Sequence, residues 1–258
     1  MERFCIPYMP RSRVKRAFIS EILPIELERE LNDMGIVTYR LGHTDHLTTE
    51  LKYHPDILLN NFGPGIWICE YDPKYLPKLP HRIFLESENE LDDIYPFDCP
   101  FNNFRLGEVL FCGIHVDHLI EQRAECFGYK IIRLNTCYAK CNCIPVTMNA
   151  IITSDRKIGK ILRSYDYDVL TVEDTSGIGL RGFSNGLIGG CAAKISLDTL
   201  VFTGNLNTFK YGDSIRDFCA NHGVNAMSLT YDPMYDYGGI LPITEFNDSD
   251  NPEEEFSY

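Results

Sequence analysis

No stretch of the 258 residues approaches the run of roughly 20 apolar side chains that a membrane-spanning helix requires. The first residues, MERFCIPYMPRSRVKR, lack the apolar centre of a secretory signal, so the expected location is the cytoplasm. Positive charge is scarce too: 24 Lys and Arg stand against 37 Asp and Glu, for a net charge of −13. A nucleic-acid partner needs a basic face that releases counterions, and this balance argues against one. The cluster Arg11, Arg13, Lys15 and Arg16 is too short to reverse it and reads as a solvated loop. A P-loop is also missing. SGIGLRGFSNG is glycine-rich but lacks the spacing and strand context of a dinucleotide fingerprint, and reads as a flexible loop. No cofactor is expected.

An apolar content of 44% and a charged content of 24% are those of an ordinary globular chain with ample core. Ten cysteines are many. Without a secretory signal they are expected to be reduced, and most should fill space as small apolar residues. Part of the acidity lies in residues 245–258, which read as a solvated tail.

The chain repeats one grammar: an amphipathic helical stretch, a break, and a short β-rich run. The copies are PIELERELNDMGIVTYRL (24–41), VDHLIEQRAECFGYKIIRL (116–134), RKIGKILRSYDYDVLTV (156–172) and YGDSIRDFCANHGVNAMSL (211–229). Gly35, Gly128 and Gly223 stand where a left-handed helix cap is wanted, and the third copy has YDYD there. PKYLPKLPHRIFLE (73–86) is a weaker copy whose prolines shorten any helix to a turn or two. Pairs of strand-like runs lie upstream: HPDILLNN with GIWICE, CNCIPVT with AIITSD, LIGGCAAKI with TLVFTGN. The unit at 102–134 shows one clear run, EVLFCGI, and the last unit is split, with DYGGILPIT near the C-terminus and KRAFIS near the N-terminus. First-strand anchors near 54, 107, 141, 188 and 238 give a period of roughly 35–55 residues, as in arrays and propellers.

These features predict an α/β fold: a fivefold pseudosymmetric propeller of ββαβ units, closed by pairing of the N- and C-terminal segments. Closure leaves no open edge. A doubly wound sheet would give one strand per helix rather than two or three. The expected organisation is one domain, 1–258, with units near 236–244 plus 15–41, 52–86, 102–134, 138–172 and 186–230.

Such a ring resembles the pentein fold of the guanidino-group modifying enzymes: arginine deiminases, dimethylarginine hydrolases, amidinotransferases and agmatine deiminases. The chain also looks like a clostridial-type branch of that superfamily, a likeness that brings no substrate with it. The family's His-x-Asp strand is matched by HPDILL at His54–Leu59, and its nucleophile strand, similar to RCMxxP, by KCNCIP at Lys140–Pro145. One unit lies between them, as in the family. The resemblance implies that Cys141 is the nucleophile, which must act as a thiolate. His54 would be the general acid/base, and Asp56 would bind the substrate's cationic group. A family carboxylate before Gly-Gly maps near MYDYGGILPI, where the nearest acid is Asp236. Strand alternation places Cys141 and Cys143 on one face and turns Lys140 away, so Lys140 is given no role.

A further family acid has no counterpart in GLIGGCAAKI, so Asp98 and Asn102 of YPFDCPFNN are the substitutes expected at the axial site as substrate-binding groups. The competing reading of that segment is a proline-punctuated surface loop. The implied partner is a small molecule, with a cationic head as one option, processed by hydrolysis or transfer. Two other readings stand beside it. One is a non-catalytic binding module, since the fold also resembles that of a ribosomal anti-association factor. The other is a zinc site from Cys137, Cys141 and Cys143 with Cys112, His115 and His118, although these spacings match no common ribbon or finger.

Overall fold

The computed structural model describes residues 1–77 and 83–247. The chain begins with β1 (Glu2–Phe4), β2 (Val14–Ser20), α1 (Ile25–Asp33) and β3 (Val37–Leu41). The short helix α2 (Pro55–Leu58) then leads into β4 (Asn60–Gly63), β5 (Ile66–Cys69) and β6 (Ile83–Glu86). The next unit is β7 (Phe104–Leu106), β8 (Val109–Cys112), α3 (His118–Cys126) and β9 (Lys130–Arg133). It is followed by β10 (Cys143–Thr147), β11 (Ala150–Thr153), α4 (Arg156–Arg163) and β12 (Asp168–Thr171). A two-residue strand, β13 (Ile178–Gly179), precedes β14 (Ala192–Ser196), β15 (Thr199–Phe202), α5 (Gly212–Asn221) and β16 (Asn225–Ser228). The chain returns through β17 (Met234–Tyr235) and β18 (Leu241–Phe246).

One rule governs all five main sheets. The first two strands of a unit pair antiparallel, and the third joins the second in parallel after a crossover. In the split unit β18 pairs antiparallel with β2, Leu241 opposite Phe18, while β2 pairs in parallel with β3. β1 covers the other edge of β18. The two ends of the chain are thereby sewn into one four-stranded sheet, as the split repeat requires. The α/β ring of ββαβ units is the observed architecture. Among the described residues, no helix is long and apolar enough to cross a membrane.

The helices form where amphipathic spacing and caps agree. Asp117 and Asp155 cap α3 and α4: the Asp117 carboxylate accepts the Leu119 N–H, and that of Asp155 accepts the Lys157 and Ile158 N–H groups. Gly35, Gly128 and Gly223 take the left-handed conformation after α1, α3 and α5, and Asp166 adopts it after α4 at φ 64°. Buried apolar faces of helices and strands meet in layers such as Phe18 edge-on to Trp67 at 5.0 Å and Phe104 stacked on Phe111 at 4.7 Å.

The structure corrects several strand boundaries. The unit at 102–134 has a full hairpin, β7 with β8, not one run. HPDILLNN is not a strand at its start: Pro at the first helical position and the backbone bonds of His54 make 55–58 one helical turn. Cys141 and Asn142 lie in a turn before β10. Residues 188–191 form a 3₁₀ turn before β14, and β18 starts only at Leu241. Residues 78–82 of the weak copy and 248–258 of the expected tail lie outside the described residues.

The tail also begins later than expected, because Glu245 belongs to β18 and is buried. Its carboxylate accepts Arg3 Nε at 2.7 Å and the backbone N–H groups of Arg11 and Ser12 at 2.6 and 3.0 Å. Glu245→Ala would strand these donors, so it should lower unfolding stability by about 2–4 kcal/mol. The urea midpoint reads this out; a midpoint equal to that of the wild type would contradict it.

Candidate active site

The turns that precede the first strand of each unit come together. They carry His54–Asp56 (before β4), Asn102 (before β7), Lys140–Cys141 (before β10), Gly189–Gly190 (before β14) and Asp236–Gly239 (before β18). Hydrogen bonds pass round them in a closed circuit. Asp56 N–H donates to Gly238 O at 3.2 Å, and the Asn102 side chain donates to Asp56 O at 2.7 Å. Cys141 N–H donates to Asn102 Oδ1 at 3.1 Å, and Gly189 N–H to Cys141 O at 2.7 Å. Gly239 N–H closes the circuit on Gly190 O at 2.8 Å.

Inside this circuit lie six polar side chains, His54, Asp56, Asn102, Lys140, Cys141 and Asp236, none more than 4% exposed. The Cys141 thiol donates to Asp56 Oδ2 at 3.3 Å and accepts from Asn102 Nδ2 at 3.0 Å. Lys140 Nζ lies 3.5 Å from the same Asp56 oxygen, donates to Gly189 O at 2.8 Å, and sits over the Tyr8 ring. Asp236 Oδ1 stands 3.7 Å from His54 Nδ1. The Asp236 carboxylate is itself fixed by the N–H groups of Leu187 and Gly238. Neither His54 ring nitrogen, nor Asp56 Oδ1, has a hydrogen-bond partner among the described residues. Buried polar atoms left without partners cost about 1–3 kcal/mol each, so these three atoms call for a water or a ligand as partner.

Two diglycine pairs make the packing possible. A Cβ on Gly190 would lie 1.7 Å from Asp236 Oδ1, and one on Gly238, at φ 74°, would lie 2.5 Å from His54 Cα and Cβ.

Electrostatics set the resting state. Burial pushes the Cys141 thiol well above its ordinary pKa, Asp56 and Asp236 push it further, and Lys140 opposes them. Burial likewise raises Asp56, against the pull of Lys140. The resting arrangement sets the Cys141 thiol against Asp56 Oδ2, and burial favours the thiol over the thiolate.

Four sequence-nominated residues, Cys141, His54, Asp236 and Asp56, enter this cluster. Asn102 enters it too, but its side chain bonds Cys141 and Asp56 O rather than standing free toward a substrate. Asp98 does not: it is buried against the Tyr138 hydroxyl, which donates to it. Lys140 is the residue that sequence reasoning missed. Alternation would turn it away, but residues 139–142 form a turn rather than a strand, so Lys140 and its neighbour Cys141 both face Asp56. Its position beside the nucleophile candidate was the available signal. Cys143 packs on β10 with its sulfur 3.7 Å from Thr153 Oγ1. GLIGGCAAKI supplies no acid; it supplies Lys194, buried, bonded to Val146 O at 2.6 Å and pushed down to about 8 by burial.

The zinc reading fails on geometry. Among the described residues no three His, Cys, Asp or Glu side chains converge to hold a metal ion. Cys112 lies under Arg133, and His115 stands edge-on to Phe97 at 5.0 Å.

A protein family described as a family of unknown function, DUF6873, matches residues 18–241. The chain belongs to that family. A comparison with curated protein sequences finds no match. Among solved structures, an inosamine-phosphate amidinotransferase from Streptomyces griseus is similar, with a TM-score of 0.56 at 12% identity over 94% of this chain and 97% of that one. An agmatine deiminase from C. jejuni gives 0.53 at 10% identity, covering 88% and 91%. DDAH from Pseudomonas aeruginosa, complexed with citrulline, gives 0.50 at 8% identity, covering 85% and 92%. At these identities the likeness is one of fold, and that fold is the pentein fold.

The buried ion pair makes a prediction about this member. Lys140→Met leaves the Asp56 carboxylate buried without its cation and should lower stability by about 3–5 kcal/mol, most of it recovered on adding Asp56→Asn. Asp56 is raised in the folded state, so the stability linked to it is fully present below the unfolded value of 3.8. That stability is lost as pH rises through the folded value. Removing Lys140 raises the folded value further, so the deficit should be larger at pH 8 than at pH 5. Denaturant titrations at both pH values check this; an equal deficit would contradict it.

Proposed function

We propose that this protein is a pentein-type enzyme in which Cys141 attacks the electrophilic carbon of a small amidine or guanidine, or of an amide, with His54 as general acid/base. The observation that carries this reading is the convergence of the Cys141 sulfur, the Asp56 carboxylate and the His54–Asp236 pair in one buried cluster with unpaired polar atoms. The fold shared with amidinotransferase and deiminase structures supports it.

The roles follow from the geometry. Asp56 Oδ1, which has no hydrogen-bond partner among the described residues, accepts N–H donors of a planar amidine or amide, while Oδ2 stays with Cys141 and Lys140. Asp236 lies 3.7 Å from His54 Nδ1, close enough to favour a protonated ring electrostatically without a hydrogen bond in the resting site. The sulfur passes its proton to Asp56 Oδ2, to which the thiol already donates, and bonds to the substrate carbon. His54 donates a proton to the departing amine as the carbon–nitrogen bond breaks. A water, or an acceptor amine in the transfer variant, loses a proton to His54 and attacks the same carbon. The carbon–sulfur bond then breaks, and the leaving thiolate takes back the proton held on Asp56 Oδ2, which restores the thiol. The site lies within one domain of a cytoplasmic protein in this reading, and the small substrate is its partner.

A second reading, a non-catalytic pentein-fold binding protein, draws on one observation: the Cys141 sulfur is buried beside Asp56, and burial with the two carboxylates pushes its pKa up. One experiment separates the two. A haloacetamidine should modify Cys141 with saturable kinetics, Cys141→Ala should abolish the adduct while preserving the fold, and His54→Gln should slow turnover of any substrate found by at least about a hundredfold. Peptide mass spectrometry gives the site. An adduct confined to the exposed Cys126, or persisting unchanged in Cys141→Ala, would favour the binding protein.

A further inference from the structure

Asn102 occupies the turn before β7, two residues ahead of that strand, and its side chain is fully buried. Its Oδ1 accepts the backbone N–H of Cys141, while Nδ2 donates to the Cys141 sulfur at 3.0 Å and to Asp56 O at 2.7 Å. These partners fix the orientation of the amide. Turned over, it would set an NH₂ group against the Cys141 N–H and an oxygen against the Asp56 carbonyl, breaking two bonds at once. An N–H of Asn102 is thus obliged to point at the sulfur.

The thiol is a weak acceptor and the thiolate a strong one, so this bond tightens as the proton leaves. It is also the one hydrogen bond that Cys141 Sγ accepts among the described residues; Lys140 is spent on Asp56 and Gly189 O. His54 makes no such bond to the sulfur. Burial and two carboxylates oppose ionisation and the Lys140 charge favours it, while the Asn102 N–H is the donor aimed at the sulfur itself. The adjacent Asn103 is a natural contrast. It is equally buried and fully bonded, to Pro100 O and from Gly113 N–H, but has no contact with Cys141.

We propose that Asn102 is a catalytic residue: its amide donates an N–H to the Cys141 sulfur as the thiolate forms and clamps the Cys141 peptide in line with Asp56. The proposal rests on the reading of Cys141 as nucleophile and adds the group that activates it. Asn102 therefore serves the nucleophile rather than the substrate.

The test is the pH dependence of Cys141 alkylation by iodoacetamide, a neutral probe, followed on the Cys141 peptide. Asn102→Asp keeps the acceptor for the Cys141 N–H but replaces the donor with an oxygen. Asn102→Ala removes both without adding charge, and reads the same bond should the aspartate variant not fold. Each should slow alkylation at neutral pH by about tenfold or more and move the profile to higher pH by about one unit or more. Asn103→Ala should lower the melting temperature and leave the profile in place. Asn102 variants with the wild-type profile, or an equal shift in Asn103→Ala, would overturn the proposal. A wild-type protein alkylated elsewhere but never at Cys141 would instead overturn the nucleophile reading, and the proposal with it.

Discussion

The circuit of hydrogen bonds linking five pre-strand turns is the constraint on which the rest of this structure depends. Each turn donates to, or accepts from, the turn of the neighbouring unit, and the last bond, Gly239 N–H to Gly190 O, returns to the split unit. β18, which follows residues 236–239, pairs with β2, and Asp56 N–H donates to Gly238 O, so the terminal sheet and the site share one segment. A change that loosens the terminal sheet acts on His54 and Asp236 together, although neither lies in a strand.

The circuit also explains how so many polar groups are held away from water. Two carboxylates, an ammonium, an imidazole and a thiol share the cluster, and isolated buried charges are expensive. Most are offset locally: Asp236 by two backbone N–H groups, Lys140 by Asp56 and a carbonyl, Cys141 by Asn102 and Asp56. The diglycine pairs matter here because side chains at Gly190 and Gly238 would overlap Asp236 and His54. What stays unpaired, both His54 nitrogens and Asp56 Oδ1, lies where substrate chemistry is expected. The resting thiol is consistent with a nucleophile that ionises only after a ligand engages Asp56.

Much of this was legible in the chain. Periodicity, cap residues and the split last unit point to the ring, because those signals are local and repeat. The grouping of His54, Asp56, Asp236 and Cys141 was nominated by the resemblance of HPDILL, KCNCIP and MYDYGGILPI to pentein motifs in matching unit order. What escaped was set by turns rather than strands. Alternation is a rule for extended backbone, and it misplaces Lys140 because residues 139–142 curl. It also hides the role of Asn102, whose partners are 39 and 46 residues away and become neighbours only in the closed ring. Asp98, an equally plausible acid by composition, is taken by Tyr138. Glu245 looked like tail because its neighbours are acidic, yet backbone donors at residues 11 and 12 draw it inside.

The central claim is that Cys141, Asp56 and His54 act on one small substrate. The most direct measurement is an experimental structure of the protein after reaction with a haloacetamidine. The account predicts a carbon–sulfur bond at Cys141, amidine N–H groups donating to Asp56 Oδ1, and a His54 ring nitrogen within hydrogen-bond distance of the adduct. An adduct at Cys141 whose amidine points away from both Asp56 and His54 would contradict it.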